Sequence, residues 1–350
     1  MSEPEIKRPE ETLRLFGQDA AQAVLSTAWW SGKLANAWLL CGAEGIGKAT
    51  LAFRFTRTFL GGAPDVAGNP PLPGMSAVPL LSDGDPSDQV SRNIASGAHP
   101  NLRVIRRSVN PKSGKTRSEI VVDDVQDAKE QFLTRTATDG GWRILIIDPA
   151  DDLNASAANA LLKILEEPPY KALFLLVNHR HGAVIPTIRS RCQSVVLSVL
   201  ADTDVRYAAE EAAPVLAGKA NNVVWELSMG SPGRALRLLE AGAADLDRRV
   251  SAILDGSEDR SRVDALDLAE AVARSDQAAS YRIVGDLLGH RIAAVARETS
   301  VACHRRDAAI LWSELDHRFR QAEALNLDRR HVVYYSAIST RDLLRRPSTP

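Results

Sequence analysis

The chain has 350 residues, a length that predicts two or three domains rather than one. Hydrophobic residues make up 45% and charged residues 25%, the ordinary balance of a globular protein with a sizeable core. The formal net charge of -1 argues against a protein that coats nucleic acid and predicts that any such contact is local. The chain starts without an apolar signal region and has no apolar run long enough to span a membrane, so we expect a cytoplasmic protein.

The first informative segment is AWLLCGAEGIGKATLAF, from Ala37 to Phe53. An apolar run that predicts a buried strand leads into a glycine-rich turn and then into a helical pattern. Gly42, Gly45 and Gly47 let the backbone wrap closely around a phosphate, and Lys48 adds a positive charge. The backbone N–H groups at the start of the following helix would hold phosphate oxygens. The segment therefore predicts a phosphate loop, or P-loop, as part of a nucleotide site.

The next segment, residues 61–100, is dense in Gly and Pro and shows neither a helical nor a strand period, which predicts a long irregular insertion. Beyond it, NLRVIRR predicts a short strand, IVVDDVQDAKEQFLTRTA a helix and ALFLLVNHR a buried strand. Because strand and helix alternate, residues 1–198 are predicted to form a doubly wound α/β domain with a parallel sheet. The strands then stop: we predict a small helical domain over 199–245 and an all-α domain over 246–350.

Two positions depart from the chemistry of an ATPase. Ala49 stands where a hydroxyl would bind magnesium, and Thr50 lies one helical step further, rotated by about 100°. The buried strand at Ile144–Ile147 ends at Asp148, where a magnesium-binding carboxylate is expected, but Pro149 replaces the Glu that would orient the attacking water. These two losses predict that the chain alone does not hydrolyse ATP. Binding of ATP or ADP without hydrolysis stays open.

Three further motifs follow the P-loop in a fixed order: NALLKILEEPP, PTIRSRC and GSPGRAL. In this order they resemble the AAA+ clamp-loader family. The resemblance implies an AAA+ P-loop domain with a parallel sheet, a helical lid and an all-α collar that holds the subunits of an oligomer together. It covers the chain well up to about residue 240 and extends more weakly into the C-terminal helices, where EALNLDRRHVV fits the last domain of the family.

The resemblance also implies roles for single residues. Arg191 of the SRC motif matches an arginine finger, a cation that enters the ATP site of the neighbouring subunit and stabilises charge in the transition state. The alternative is a surface arginine in an ion pair. Asn178, at the end of the LFLLV strand, matches the sensor-1 position, and Arg234 in GSPGRAL matches the sensor-2 position. For both, the alternative is a purely structural role.

The LEEPP motif places Glu166 and Glu167 at the end of a helix. Acidic side chains at a helix C-terminus oppose the helix dipole. We therefore expect a basic partner for them, within the chain or across a subunit boundary.

The insertion at 61–100 occupies the place where many members of the family carry a four-cysteine zinc module. It contains no cysteine. The three cysteines of the chain, Cys41, Cys192 and Cys303, lie far apart without a C-x-x-C pair, so we expect neither a zinc site nor a disulfide framework.

The resemblance, together with the two losses at Ala49 and Pro149, implies a non-hydrolysing subunit of the DNA polymerase III clamp loader. The resemblance implies a pentamer with ATPase (gamma/tau) subunits and a delta subunit, which loads a sliding clamp onto primer-template DNA. One alternative is an active ATPase subunit, but that predicts Ser or Thr after Lys48 and Glu after Asp148. The other is a P-loop replication initiator or helicase loader, which would leave SRC and LEEPP unexplained and would require a DNA-binding helix-turn-helix.

Overall fold

The chain divides into two compact units in a computed structural model. The model describes residues 6–61, 81, 83–134, 141–180, 182–274, 277–325 and 327–346. The first unit comprises Met1–Pro214 and Gly230–Gly233, and the second comprises Val215–Met229 and Arg234–Pro350. Residues of the lid predicted at 199–245 are therefore shared between the two units. The three-domain division stays a prediction.

A five-stranded parallel sheet forms the centre of the first unit. Its strands are β1 (Ala37–Cys41), β2 (Leu102–Ile105), β3 (Arg143–Ile147), β4 (Ala172–Asn178) and β5 (Gln193–Val196). The strand order is β2-β3-β4-β1-β5, and all four neighbouring pairs are parallel. The central strand β4 is buried at all seven positions, as expected of a strand covered on both faces. Because the strands are parallel, the segments that follow them emerge at one edge of the sheet.

Helices cover this sheet. They are α1 (Asp19–Trp30), α2 (Lys48–Leu60), α3 (Gln89–Ala95), α4 (Val122–Thr134), α5 (Ala155–Glu166), α6 (Pro186–Arg189) and α7 (Asp202–Ala212). Helix α5 begins where the Asn154 side chain accepts a hydrogen bond from the Ala157 N–H, and one residue, Glu167, separates its last residue from the Pro-Pro pair. Leu161 and Ile164 of this helix are buried in the core cluster of the first unit.

The prediction of an irregular insertion over 61–100 is wrong for its last third. Residues 89–95 form α3, which begins where the Asp88 side chain accepts a hydrogen bond from the Ser91 N–H at 3.0 Å. Ile94 is only 1% exposed, so this helix packs into the unit. A capped turn and one buried apolar side chain are enough to order a seven-residue helix within a Gly/Pro-rich segment. Residues 62–80 and 82 of the insertion lie outside the described residues.

The described part of the second unit consists of helices and their connections. They include α9 (Asn222–Ser228), α11 (Ala243–Asp255), α12 (Glu258–Val272), α13 (Ala278–Glu298), α14 (Ala302–Ala324) and α15 (Arg329–Leu344), with α8 (Pro214–Ala217) and α10 (Pro232–Glu240) beginning at its boundaries. The two long helices α13 and α14 pack together, and the ring of Tyr281, which is fully buried, stacks on Phe319 with 4.7 Å between ring centroids.

The predicted fold class, an α/β domain with a parallel sheet followed by helical segments, is confirmed. Within the described ranges, no helix is both long and apolar enough to cross a membrane.

Two glycines one turn apart on α13 allow a matched test of this helix packing. A Cβ on Gly285 would lie 2.8 Å from Cδ1 of Phe319, whereas a Cβ on Gly289 would come no closer than 3.4 Å to Nε1 of Trp312. We expect Gly285→Ala to lower the free energy of unfolding by about 1–3 kcal/mol through overpacking. Gly289→Ala is expected to raise it by about 0.4–1 kcal/mol, since alanine reduces the entropy of the unfolded chain. Chemical denaturation of the two variants provides the measurement, and equal midpoints would contradict the packing described here.

Candidate nucleotide site and the exposed arginine

The predicted phosphate loop connects β1 to α2 at the carboxyl edge of the sheet. Gly42, Gly45 and Gly47 have φ values of 145°, 78° and 100°, a region of backbone conformation that residues with a Cβ rarely adopt. At Gly42, a Cβ would also lie 2.6 Å from both the Ile46 side chain and the Leu197 carbonyl oxygen. The strand, the loop and the helix therefore stand as predicted, and the glycines are required by the shape of the loop.

The lysine of this loop is turned towards its own backbone. The Lys48 ammonium donates a hydrogen bond to the Gly42 carbonyl at 2.7 Å and another to the Ala43 carbonyl, and the residue is only 2% exposed. Burial lowers the pKa of Lys48 to about 8. Ala49 has no hydroxyl to offer a metal, and Thr50, half-buried on the next position of α2, makes no hydrogen bond with its side chain in the described part of the chain.

The carboxylate at the end of β3 is already paired with a cation. Asp148 Oδ2 lies 3.3 Å from the Arg106 guanidinium, which also binds both carboxylate oxygens of Glu10 at 2.8 and 2.9 Å. The same guanidinium lies over the Phe53 ring at 5.7 Å. Burial alone would raise the pKa of Glu10, but the hydrogen bonds and charge of Arg106 lower it overall. Arg106 thus provides positive charge beside the carboxylate expected to bind magnesium.

A second loop of the first unit, residues 230–233, lies directly against the phosphate loop. The Gly233 N–H donates to the Gly45 carbonyl at 2.9 Å, and the Ser231 hydroxyl donates to the Glu44 carbonyl at 2.9 Å. The approach is so close that a Cβ on Gly233 would lie 2.7 Å from Cα of Gly45. The GSPG sequence therefore has a structural role here, because it fixes the outer side of the phosphate loop.

The predicted sensor-1 residue lies beside the phosphate loop. Asn178 ends β4, is 3% exposed, and its amide donates to the Cys41 sulfur at 3.7 Å, while its Oδ1 is buried without a hydrogen-bond partner. The connection after β4 is fixed by Asp151, which accepts the N–H of His179 at 2.9 Å and the N–H of Arg180 at 2.7 Å. Asn178 is held rigidly at the end of its strand.

The predicted sensor-2 residue belongs to the helical unit. Arg234 pairs with Asp286 of α13 at 3.1 Å and contacts the Met229 sulfur at 3.7 Å. Burial raises the pKa of Asp286, and the charge of Arg234 opposes that rise. These contacts give Arg234 a structural role within the second unit.

The predicted arginine finger follows α6 and is partly exposed. The Arg191 guanidinium binds Glu166 Oε1 at 2.7 Å and donates to the Thr187 carbonyl at 3.0 Å, while 37% of its side chain is exposed. Glu166 is the last residue of α5, so Arg191 supplies the basic partner predicted for the acidic end of that helix. The ion pair expected of a surface arginine is therefore present, and it leaves more than a third of the side chain accessible.

The described residues do not fit a magnesium–nucleotide complex. Ala49 cannot ligate a metal, Asp148 is paired with Arg106, and the Lys48 ammonium donates hydrogen bonds to loop carbonyls. No group of three or more His, Cys, Asp or Glu side chains in the described ranges could hold a metal ion.

Sequence reasoning missed several groups of this site. Arg106 directly follows the apolar strand β2, a position at the carboxyl edge that could have marked it. Glu10 offers no such signal, because it lies 96 positions from its partner in a charged segment. Asp151 and Ser231 act through backbone groups, and these contacts have no local sequence pattern.

Sequence comparison identifies relatives of the chain. A family model described as "DNA polymerase III, delta subunit" matches residues 17–201, more than half of the chain. DNA polymerase III subunit delta' of Pseudomonas aeruginosa is 33% identical over 171 residues, which are 49% of this chain and 45% of that protein. DNA polymerase III subunit gamma/tau of Mycobacterium bovis is 27% identical over 294 residues, 81% of this chain and 46% of that protein. The chain spans about half the length of the curated relatives it matches.

Comparison with solved structures finds a DNA polymerase III gamma-subunit-related protein from Thermotoga maritima. It is 16% identical, with a TM-score of 0.42, over 92% of this chain and 100% of that chain.

The contacts of Arg106 with Glu10 and Asp148 are tested by Arg106→Gln. The substitution leaves these two largely buried carboxylates without their shared partner. We expect the free energy of unfolding at pH 7 to fall by about 1–3 kcal/mol, less than for a fully buried pair because Arg106 is partly exposed. Since Arg106 lowers the pKa of Glu10, its contribution is fully present above the ordinary value of 4.5 and is lost as the pH falls through the folded-state pKa. The difference from the unsubstituted chain should therefore shrink below about pH 4.

Arg107→Gln is the matched control, because Arg107 is more exposed and makes one ion pair with Asp152. We expect it to cost less than about 1 kcal/mol. Both free energies come from denaturant titrations at several pH values. Equal losses for the two variants at pH 7 would contradict the linking role of Arg106.

Proposed function

The chain belongs to the DNA polymerase III delta-subunit family, with the delta-prime subunits, and on that premise we propose that it is a non-hydrolysing clamp-loader subunit. In this role it assembles with ATPase (gamma/tau) subunits and a delta subunit in the cytoplasm. It supplies Arg191 to the ATP site of a neighbouring ATPase subunit and serves as a rigid platform. The complex as a whole loads a sliding clamp onto primer-template DNA.

The observation that carries this proposal is the closed phosphate loop. Lys48 donates to the Gly42 and Ala43 carbonyls, so the positive charge that would meet a phosphate is used inside the loop. The 230–233 loop binds the outer side of the same backbone. A nucleotide would have to break these hydrogen bonds, which supports a subunit that does not hydrolyse ATP on its own.

A subunit without turnover contributes to catalysis only through groups that reach a neighbour. Arg191 fits this role because it lies at the end of a short helix, is partly exposed and is oriented by Glu166 and the Thr187 carbonyl. An arginine that enters a phosphoryl-transfer site stabilises charge on the transferring group. The ion pair with Glu166 would hold the guanidinium in place before a neighbour arrives, and it is also the contact that a surface arginine makes.

The second unit supports the assembly role. The helices α11 to α15 account for most of its described residues, and the long α13 and α14 pack on each other through Tyr281 and Phe319. In the proposed complex these helices form the collar, while the P-loop unit faces the neighbouring ATPase.

A double substitution tests whether closure, and not only the missing side chains, blocks the nucleotide site. Ala49→Thr with Pro149→Glu introduces the hydroxyl and the carboxylate that an ATPase would carry at these two positions. We expect the variant to show no more saturable ATP binding or turnover than the unsubstituted chain, because Lys48 and Asp148 keep their internal partners. Fluorescent-nucleotide titration and phosphate release provide the measurements, with melting temperature as the folding control. If the variant hydrolyses ATP, the hydrogen bonds of Lys48 to the loop carbonyls are not what blocks the nucleotide site.

The finger role is tested in the assembled loader by Arg191→Ala, with the nearby exposed Arg189→Ala as control. We expect hydrolysis at the adjacent ATP site to slow by about 10³-fold or more for Arg191→Ala. In single-turnover experiments this appears as the loss of one phase of hydrolysis, while gel filtration shows an intact complex. Arg189→Ala should keep that phase. If both variants retain it, Arg191 is a surface arginine and the chain contributes only as a scaffold.

A further inference from the structure

A short hairpin of residues 107–117, here named the basic hairpin, follows β2 at the carboxyl edge of the sheet. Its two arms are paired through an antiparallel bridge between Val109 and Thr116. The Arg117 N–H donates to the Ser108 carbonyl at 2.9 Å and closes the base. The hairpin directly follows β2, which is an edge strand of the sheet.

The tip of the basic hairpin is ordered by its own hydrogen bonds. The Lys112 N–H donates to the Asn110 side-chain oxygen, and the Gly114 N–H donates to the Asn110 carbonyl, both at 2.9 Å. Gly114 takes a φ of 66°, which lets the chain turn back. Because the tip is held in one shape before any ligand arrives, binding would lose little conformational entropy.

Positive charge is concentrated in this segment. From Arg106 to Ser118 the chain contains five basic residues and no acidic one, although the whole protein carries a formal net charge of -1. The first two basic residues are paired, but in the described ranges no ion pair forms with Lys112, Lys115 or Arg117. Lys112 and Lys115 are exposed, and Nε of Arg117 is buried without a hydrogen-bond acceptor.

Some exposed basic side chains elsewhere in the chain are paired with a carboxylate. Arg330 binds Asp328 at 2.8 Å, and Arg346 binds Asp307 at 2.9 Å, so their charge is balanced locally. In the basic hairpin, Lys112 and Lys115 are exposed without such compensation, and Arg117 is half-buried without an ion pair in the described ranges. Unbalanced charge on an ordered projection is a surface that attracts a polyanion.

We propose that the basic hairpin is a binding surface for the phosphate backbone of nucleic acid. Lys112, Lys115 and Arg117 lie within six residues of the hairpin, and the side chains of Lys112 and Lys115 are exposed. The exposed hydroxyl groups of Ser113 and Thr116 add hydrogen-bond donors of the kind that contact phosphate and sugar. Such contacts fix position on a strand and carry no base specificity.

The chemistry of the hairpin favours nucleic acid over an acidic protein surface. Protein interfaces depend on buried aromatic or large apolar anchors, and this segment has no aromatic residue and only Val109 as an exposed large apolar side chain. Lysines with flexible stems and small hydroxyl side chains suit backbone phosphates. That the nucleic acid is primer-template DNA rests on the proposed function.

The test compares the salt dependence of DNA binding by the full chain, alone and in the assembled loader. Lys112→Ala with Lys115→Ala removes two phosphate contacts, and Lys33→Ala with Lys219→Ala removes two exposed lysines elsewhere. The probe is a labelled primer-template duplex, followed by fluorescence anisotropy between low and moderate salt. We expect the slope of log K against log salt to become shallower by about 1.8 on duplex contacts, or about 1.4 on single strands. The control pair should leave the slope unchanged, and Lys→Arg at both hairpin positions should restore it.

Two outcomes would contradict the proposal. If the hairpin variant keeps the slope in both the chain and the loader, the hairpin is a solvated turn. If it keeps the slope but weakens assembly with the other loader subunits, the hairpin binds protein. The DNA-binding test is independent of the Arg191 test. Anisotropy of the full chain alone requires neither assembly of the loader nor ATP hydrolysis, so it can be interpreted even if Arg191 is not a finger. A melting temperature equal to that of the control pair shows that the variant is folded.

Discussion

The hydrogen bonds from the Lys48 ammonium to the Gly42 and Ala43 carbonyls are the contacts on which the arrangement of the phosphate loop depends. A cation buried to this extent needs acceptors, and in an open phosphate loop a nucleotide supplies them. Here the loop supplies them itself. The glycine conformations, the strand and the helix of a nucleotide-binding motif are retained, while the loop has become part of the folded core.

Arg106 is a second cation of this site whose partners lie within the protein, and it pairs with the carboxylate at the end of β3. The Arg106 guanidinium satisfies both Glu10 and Asp148, so the carboxylate at the end of β3 is compensated without a metal ion. Lys48 and Arg106 therefore both have hydrogen-bond acceptors within the first unit. Without these internal partners a buried lysine and a nearly buried carboxylate would be uncompensated, and each would cost free energy of folding.

The sequence predicted the parts of this architecture that depend on local patterns. The strands β1, β3 and β4 were predictable because they are buried on both faces and their apolar runs are continuous. The edge strand β5 was not, because three of its four residues are exposed. Helix α3 was missed since its cap and one buried side chain lie within a Gly/Pro-rich segment. The closure of the site depends on pairs far apart in the chain, such as Glu10 with Arg106, and the pattern of a single sequence does not encode such pairs.

The small loop 230–233 has a consequence for how this protein can be divided. The chain leaves the first unit after Pro214, returns to it for these four residues, and leaves again at Arg234. A continuous fragment that ends at the first boundary would lack the Gly233 and Ser231 hydrogen bonds and would present the phosphate loop backbone to water. The first unit is thus a discontinuous domain, whose native form a simple truncation cannot reproduce. Its boundaries follow spatial contacts and not the linear order of the sequence.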